Sequence, residues 1–150
     1  MLVAACARMP DMKQTILSFI DRINAHDVDG IMALVSKDYE FVNSSGDHFH
    51  DLKFLADTWR AQFENHPDFK IRVDHVMCEG EHVGVFGLSQ GTYSPDGVMR
   101  EENHWEIPAA FLGIVRDGKV AYWETYSDAS VIFDMMKSTQ SAGEEVQGKN

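Results

Sequence analysis

The sequence predicts an α+β domain in which a strongly curved, antiparallel or mixed sheet wraps around three helices and leaves a cavity at its open end. Three observations carry this. The first 65 residues hold three stretches with apolar residues at helical spacing. From about residue 69 the period switches to two and holds through four segments joined by turn signals. Pro108 falls inside the longest of those segments, where proline implies a bulge or bend. Helices followed by a run of strands is the α+β order.

Each element has a local reason. From Asp11 to Ala25, Ile16, Leu17, Phe19, Ile20 and Ile23 recur at helical spacing. "HDVDGIMALVSKD" reads as a short second helix with Asp27 as N-cap. "YEFVNS" alternates as a short strand, and "SGDHFH" follows as a turn or short extended piece. From Asp51 to about Asn65, the residues Leu52, Leu55, Trp59 and Phe63 form a third helical stripe, capped by Asp51 and stopped by Pro67. "FKIRVDHVMCE" then alternates and turns at Glu79-Gly80, and "HVGVFGLSQGTY" is the next strand, ended by the turn "SPDG". "ENHWEIPAAFLGIVR" is a long strand, Asp117-Gly118 a tight hairpin turn, and "KVAYWETYS" the last strand. A short helix from Asp128 to about Lys137 closes the domain.

Composition narrows the function classes. A chain of 150 residues that is 44% hydrophobic suits one domain with a sizeable core. The net charge is −11 and the pI about 4.9, with no Lys/Arg stripe, which argues against nucleic acid and anionic membranes as partners. Cys6 and Cys78 make neither a disulfide framework nor a zinc spacing, so a reducing, cytoplasmic setting is expected. "MLVAACARMP" lacks the basic and apolar regions of a secretion signal and reads as a loose tail over residues 1–10. "STQSAGEEVQGKN" is polar and core-poor, so residues 138–150 are expected to be disordered, leaving a single domain over 11–137.

The order and wording of four segments, "NAHDVDGIMALVSKDYEF", "FENHPDFKI", "NHWEIPAAF" and "VRDGKVAYWETYSD", resemble the SnoaL-like branch of the nuclear-transport-factor-two-like superfamily, the cone-shaped α+β barrels. The likeness spans roughly residues 12–137. Its members include ketosteroid isomerase, scytalone dehydratase, limonene epoxide hydrolase, polyketide cyclases and proteins that only bind partners, so fold alone does not decide function. The resemblance implies no metal or organic cofactor.

Matching the last hairpin to limonene epoxide hydrolase turns the faces of Trp123 and Trp105 inward. Strand parity then sets Thr125 with Trp123, and Ile107 and Ala109 with Trp105. By the same matching Phe41 and Asn43 point inward from the first strand, with Tyr39 nearby. Ser89 does so from the strand before "SPDG", and Trp59 forms a lid. The familiar catalytic groups are missing. The epoxide hydrolase Asp-Arg-Asp set falls at Thr125, Gly87 and Ser89, and the cyclase Asp falls again at Thr125. The ketosteroid isomerase base falls at Asn43, its Tyr near Phe19 and its second Asp near Ala110 or Phe111. What remains is an apolar, aromatic lining with a few neutral polar groups, suited to a hydrophobic or aromatic small molecule.

Titrating groups that could supply proton transfer at such a pocket are His104, Asp128, His50 and Tyr39, with His104 and Asp128 as the catalytic candidates. Against this, parity turns His104 away from Trp105, and Asp128 serves equally as a helix N-cap. His48 and His50 share a side of an extended chain, yet no further ligand set has metal spacing, and the segment reads as a turn with His50 at the pocket edge. Phe86, Leu88, Pro108, Ala110, Leu112 and Ile114 form an outward apolar set that predicts a homodimer through the sheets. Three functions stay open: a cofactor-independent isomerase, cyclase, dehydratase or hydrolase; a non-catalytic carrier or binder of an apolar molecule; and, last, a protein-interaction module.

Overall fold

A computed structural model describes the backbone of residues 2–147 and the side chains of residues 12–142. Helix α1 (Leu2–Asn24) lays Ile16, Phe19, Ile20 and Ile23 in the core, the i, i+3, i+4, i+7 stripe of an amphipathic helix. Helix α2 (Val28–Leu34) begins at Asp27, whose carboxylate accepts from the Gly30 amide at 2.9 Å, and runs straight into β1 (Val35–Val42). The two-residue strand β2 (His48–Phe49) precedes α3 (Leu52–Asn65), which is capped by Asp51 accepting from the Phe54 amide at 2.9 Å. Strands β3 (Lys70–Glu79), β4 (His82–Thr92), β5 (His104–Arg116) and β6 (Lys119–Ser127) follow, with one 3-10 turn at Glu101–Asn103 ahead of β5. Helix α4 (Ser130–Gln147) ends the described chain.

The six strands form one open mixed sheet in the order β2-β1-β6-β5-β4-β3, antiparallel throughout except for the parallel β1–β6 pair. The β5–β6 hairpin turns on Asp117 and Gly118, with φ of 52° and 73°, the left-handed pair that suits a two-residue turn. Burial alternates strictly at the start of β5: Trp105, Ile107, Ala109 and Phe111 are buried, while His104, Glu106 and Pro108 are exposed. The concave face therefore carries Trp105 and Phe111 of β5, and α1 packs against part of it.

Two expectations change. The irregularity predicted at Pro108 is absent there: β4 and β5 pair without a break through Leu88↔Pro108. Pairing with β6 begins only at Ala109↔Ser127, so Pro108 has a strand neighbour on one side, a position where the missing N–H is tolerated. The register slips lie instead between Val73 and His75, between Val35 and Glu40, and between Ile114 and Val115. Gly87 fits the first of these, because a Cβ there would stand 1.8 Å from the Arg72 carbonyl oxygen. The first and last helices also run further than the sequence predicts. The backbone is helical over 2–10 and over 138–147; residues 1 and 148–150 lie outside the described residues. Past Lys137 the half-buried stripe of Ile132, Met135, Met136 and Thr139 continues at helical spacing. The hydroxyls of Ser138, Thr139 and Ser141 bond back to carbonyls four residues earlier at 3.0 Å. No helix among the described residues is long and apolar enough to cross a membrane.

Candidate functional site

Between the concave face of the sheet and helices α3 and α4 lies a cavity of about 240 Å³. Its floor is Ser89 on β4, Trp105, Ile107 and Phe111 on β5, and Trp123 and Thr125 on β6. Leu55, Thr58, Trp59 and Gln62 of α3 cover it, and Ile132 of α4 closes one side. The aromatic walls brace each other: Phe111 stacks on Trp123 at 4.9 Å, Trp123 meets Phe19 edge-on at 5.1 Å, and Trp59 stacks on Phe63 at 5.4 Å.

The cavity has a deep end and a mouth. Phe69, Ile71, Ser89 and Trp105 are buried, whereas Asn43, Thr125 and Ser127 are half-buried and Ser44 is exposed. No Asp, Glu, His, Lys or Arg is among the described residues that line it. Its polar groups are hydroxyls, amides and indole N–H groups, so it has no internal charge to balance a charged guest and no side chain on its wall to move a proton near neutral pH.

The SnoaL-like domain family matches residues 16–123, most of the chain. This protein belongs to the SnoaL-like domain family. No curated protein matches it. Among solved structures it is similar to a proposed SnoaL-like polyketide cyclase from Shewanella denitrificans OS-217, with TM-score 0.73 and 14% identity over 86% of this chain and 98% of that one. It is also similar to a proposed polyketide cyclase from Xanthomonas campestris pv. campestris, with TM-score 0.72 and 16% identity over 81% and 93%. A third is an LEH-like epoxide hydrolase from M. tuberculosis, with TM-score 0.70 and 15% identity over 90% and 96%. At such identities the likeness is one of fold.

Of the residues singled out in the sequence, this SnoaL-like domain brings Phe41, Asn43, Trp59, Ser89, Trp105, Ile107, Trp123 and Thr125 to the cavity wall. Asn43 is there with its amide already spent. Its Oδ1 accepts from the Ser45 and Asp47 amides at 3.0 Å each, and its Nδ2 donates to Asp47 Oδ2 at 3.1 Å. It shapes the β1–β2 turn and has little left to offer a guest.

Five others stand elsewhere. Ala109 is buried without forming part of the wall. Tyr39 is 1% exposed; its hydroxyl has no partner among the described residues, and burial pushes it far above its usual pKa. His50 is solvated because Phe49 takes the inward position, stacking on Phe41 at 5.9 Å, and strand parity turns His48 and His50 out toward Glu40. Asp128 is exposed just ahead of α4 and accepts from the Ser130 amide at 3.0 Å; the Ser130 side chain first, and then that amide, lower its pKa.

His104 faces the convex side, where its Nδ1 lies 3.0 Å from Thr92 Oγ1. That hydroxyl donates to Asp68 Oδ2 at 2.7 Å, so it accepts from His104. Burial acts to raise the Asp68 pKa, but the hydroxyl and amide of Thr92 outweigh it and hold the carboxyl below its usual value. Neither catalytic candidate reaches the cavity. Among the described residues no three His, Cys, Asp or Glu side chains are grouped to hold a metal ion.

Sequence reasoning passed over Gln62 and His66. Gln62 was findable, three residues after Trp59 on the same helical face. His66 gave no signal, since it follows α3 in what reads as a loop. It is 3% exposed, lies between Tyr93 and the edge of Trp105 at 5.6 and 5.5 Å, and neither ring nitrogen has a partner. Burial depresses its pKa, so it is neutral at pH 7. Trp105 Nε1 is likewise buried and unpaired.

Proposed function

We propose that this SnoaL-like domain binds an uncharged, apolar or aromatic small molecule in the cavity between its sheet and helices α3 and α4. One observation supports this above others: the wall is aromatic and aliphatic, its polar groups are neutral, and no titratable side chain lines it among the described residues. Such a lining suits an apolar guest and offers no acid or base to a reaction. The binding reading is therefore preferred to the isomerase, cyclase or hydrolase reading, which rests on the names of proteins that share the fold. Native mass spectrometry of the purified chain, with thermal unfolding against a panel of neutral one- and two-ring compounds, tests it. A binder present at 100 times its Kd raises stability by about 2.7 kcal/mol. A panel without any shift, and no co-purified mass, would sink the proposal. Turnover of a bound compound would restore the enzyme reading.

We further propose that the convex face joins two copies of the chain. Met77 is 65% exposed, Tyr126 53% and Phe86 43%, and register brings Phe86, Ala110 and Tyr126 into one row across three strands. An apolar patch of this kind suits a homodimer joined sheet to sheet. Sedimentation as a monomer at micromolar concentration would overturn it.

A further inference from the structure

The unpaired polar groups of the cavity are not spread evenly. Ser89 lies at the deep end, 6% exposed, between Ile71 and Ile107 across the strand register, and no described residue partners its hydroxyl. Gln62 lines the same cavity, and its amide is likewise without a partner among the described residues. The unpaired Nε1 of Trp105 belongs to the same region, two residues from Ile107 on β5. Thr58, by contrast, spends its hydroxyl on the Phe54 carbonyl, and Asn43 spends its amide on its own turn. The Ser89 hydroxyl is not among the unpartnered atoms sealed from solvent, so it opens onto the cavity space and is free to bond to whatever fills it. A hydroxyl that can both donate and accept, held at the bottom of an aromatic pocket, suits a ligand oxygen that meets it.

Size and charge restrict that ligand further. An apolar cavity of about 150 Å³ takes up benzene. The cavity here, at about 240 Å³, leaves room for a second ring. With no ionic side chain lining it among the described residues, a carboxylate or ammonium would enter without a counter-charge.

We propose that the cavity takes an uncharged molecule of one to two rings which enters oxygen-first, its deep carbonyl or hydroxyl oxygen hydrogen-bonded to Ser89. This rests on the binding reading above and adds the ligand's class and orientation.

The test is calorimetric titration of tetralin, 1-tetralone and 2-naphthoate into the wild-type protein and into Ser89→Ala, each checked for folding by thermal unfolding. The ketone binds wild type more tightly than the hydrocarbon by about 2- to 10-fold, the range of one net hydrogen bond. Ser89→Ala abolishes that preference and binds tetralin at least as well, and 2-naphthoate binds more weakly than the ketone. Amide chemical shifts give a readout in the wild type alone: the ketone, but not tetralin, perturbs Ser89 and the Gln62 side-chain amide more than Asn43 and Ser44. A ketone preference that survives Ser89→Ala, perturbations centred on Asn43 and Ser44, or naphthoate binding as tightly as the ketone overturns the inference while leaving cavity binding intact. Tetralin binding without a ketone preference does the same. If none of the three probes binds, the inference and the binding reading fall together.

Discussion

The two faces of one sheet hold opposite chemistries. On the concave face Trp105, Ile107, Phe111 and Trp123 surround neutral polar groups that lack partners. On the convex face the titratable groups pair with one another: His104 with Thr92 and through it Asp68, His48 with Glu40, and Tyr122 with Glu124 at 2.5 Å. Burial, then the bond to Glu124, raises the Tyr122 pKa. The same strands supply both faces, since adjacent residues point to opposite sides and a one-residue slip would exchange them. Residues that look catalytic in a one-dimensional reading are thereby kept from the cavity, and those that reach it are suited to holding a molecule.

The comparison breaks most visibly if the faces prove alike in stability. Trp123→Ala removes a buried indole stacked on Phe111 and edge-on to Phe19, and costs about 3–5 kcal/mol. Arg72→Ala, on an exposed convex position paired with Asp74, changes stability far less, as exposed ion pairs do. Urea unfolding of both variants measures the gap, and equal costs would mean that the concave aromatics are not the core.

A carboxylate placed on the concave face is the next test. Thr125 stands opposite Phe111 on the cavity wall. In Thr125→Asp the carboxyl meets an apolar wall without a cation, so its pKa rises above the ordinary value near 3.9. An acid whose folded pKa is raised is protonated more fully in the folded chain. Stability relative to wild type therefore falls as pH climbs from about 4 through the raised pKa, reaching a deficit of about 1–3 kcal/mol at pH 7. Carbon-detected NMR titration and urea midpoints across pH read both quantities. A carboxyl titrating in the ordinary range would show that the wall is wet.

How much of this was legible beforehand follows from what each feature depends on. The inward set of Trp105, Ile107, Trp123 and Thr125 follows from period-two alternation once the sheet's sides are assigned. The caps at Asp27 and Asp51 follow from residue type next to an apolar stripe. The curvature could not be placed, because Pro108 is a local signal whereas the slip between Val73 and His75 depends on Gly87 in the neighbouring strand letting the Arg72 carbonyl through. The fate of Asn43 was hidden for a similar reason: its inward parity is a strand property, but its amide is claimed by the amides of Ser45 and Asp47. His66 was invisible because its burial is created by Tyr93 and Trp105, each more than twenty residues away in sequence.

His66 also supplies a pH test on the concave side. Burial lowers its pKa, while the nearby Gln62 backbone and, less, the charge of Asp68 act the other way and are outweighed. A base with a depressed folded pKa binds fewer protons folded than unfolded, so stability is full above about pH 6.5 and falls as pH drops below it. His66→Phe removes two unpaired nitrogens, flattens that fall below about pH 6.5, and leaves stability at pH 7 unchanged or raised by about 1 kcal/mol. Urea midpoints at several pH values decide it, and an unaltered slope in the variant would assign the titration to another group.

The smallest effect belongs to His104, and its smallness is the point. The side chain is half exposed, and its neighbours are Thr92, Asp68 and Glu106, all on the side of the sheet away from the cavity. His104→Ala leaves Thr92 still donating to Asp68 and costs less than about 1 kcal/mol. It leaves ligand affinity within about 2-fold of wild type, because one residue along β5 is enough to turn a side chain to the other face. Calorimetric titration of any cavity ligand checks this. A large loss of affinity in His104→Ala would mean that β5 presents the opposite parity, with Trp105 outward, and the division of chemistry between the two faces would be reversed.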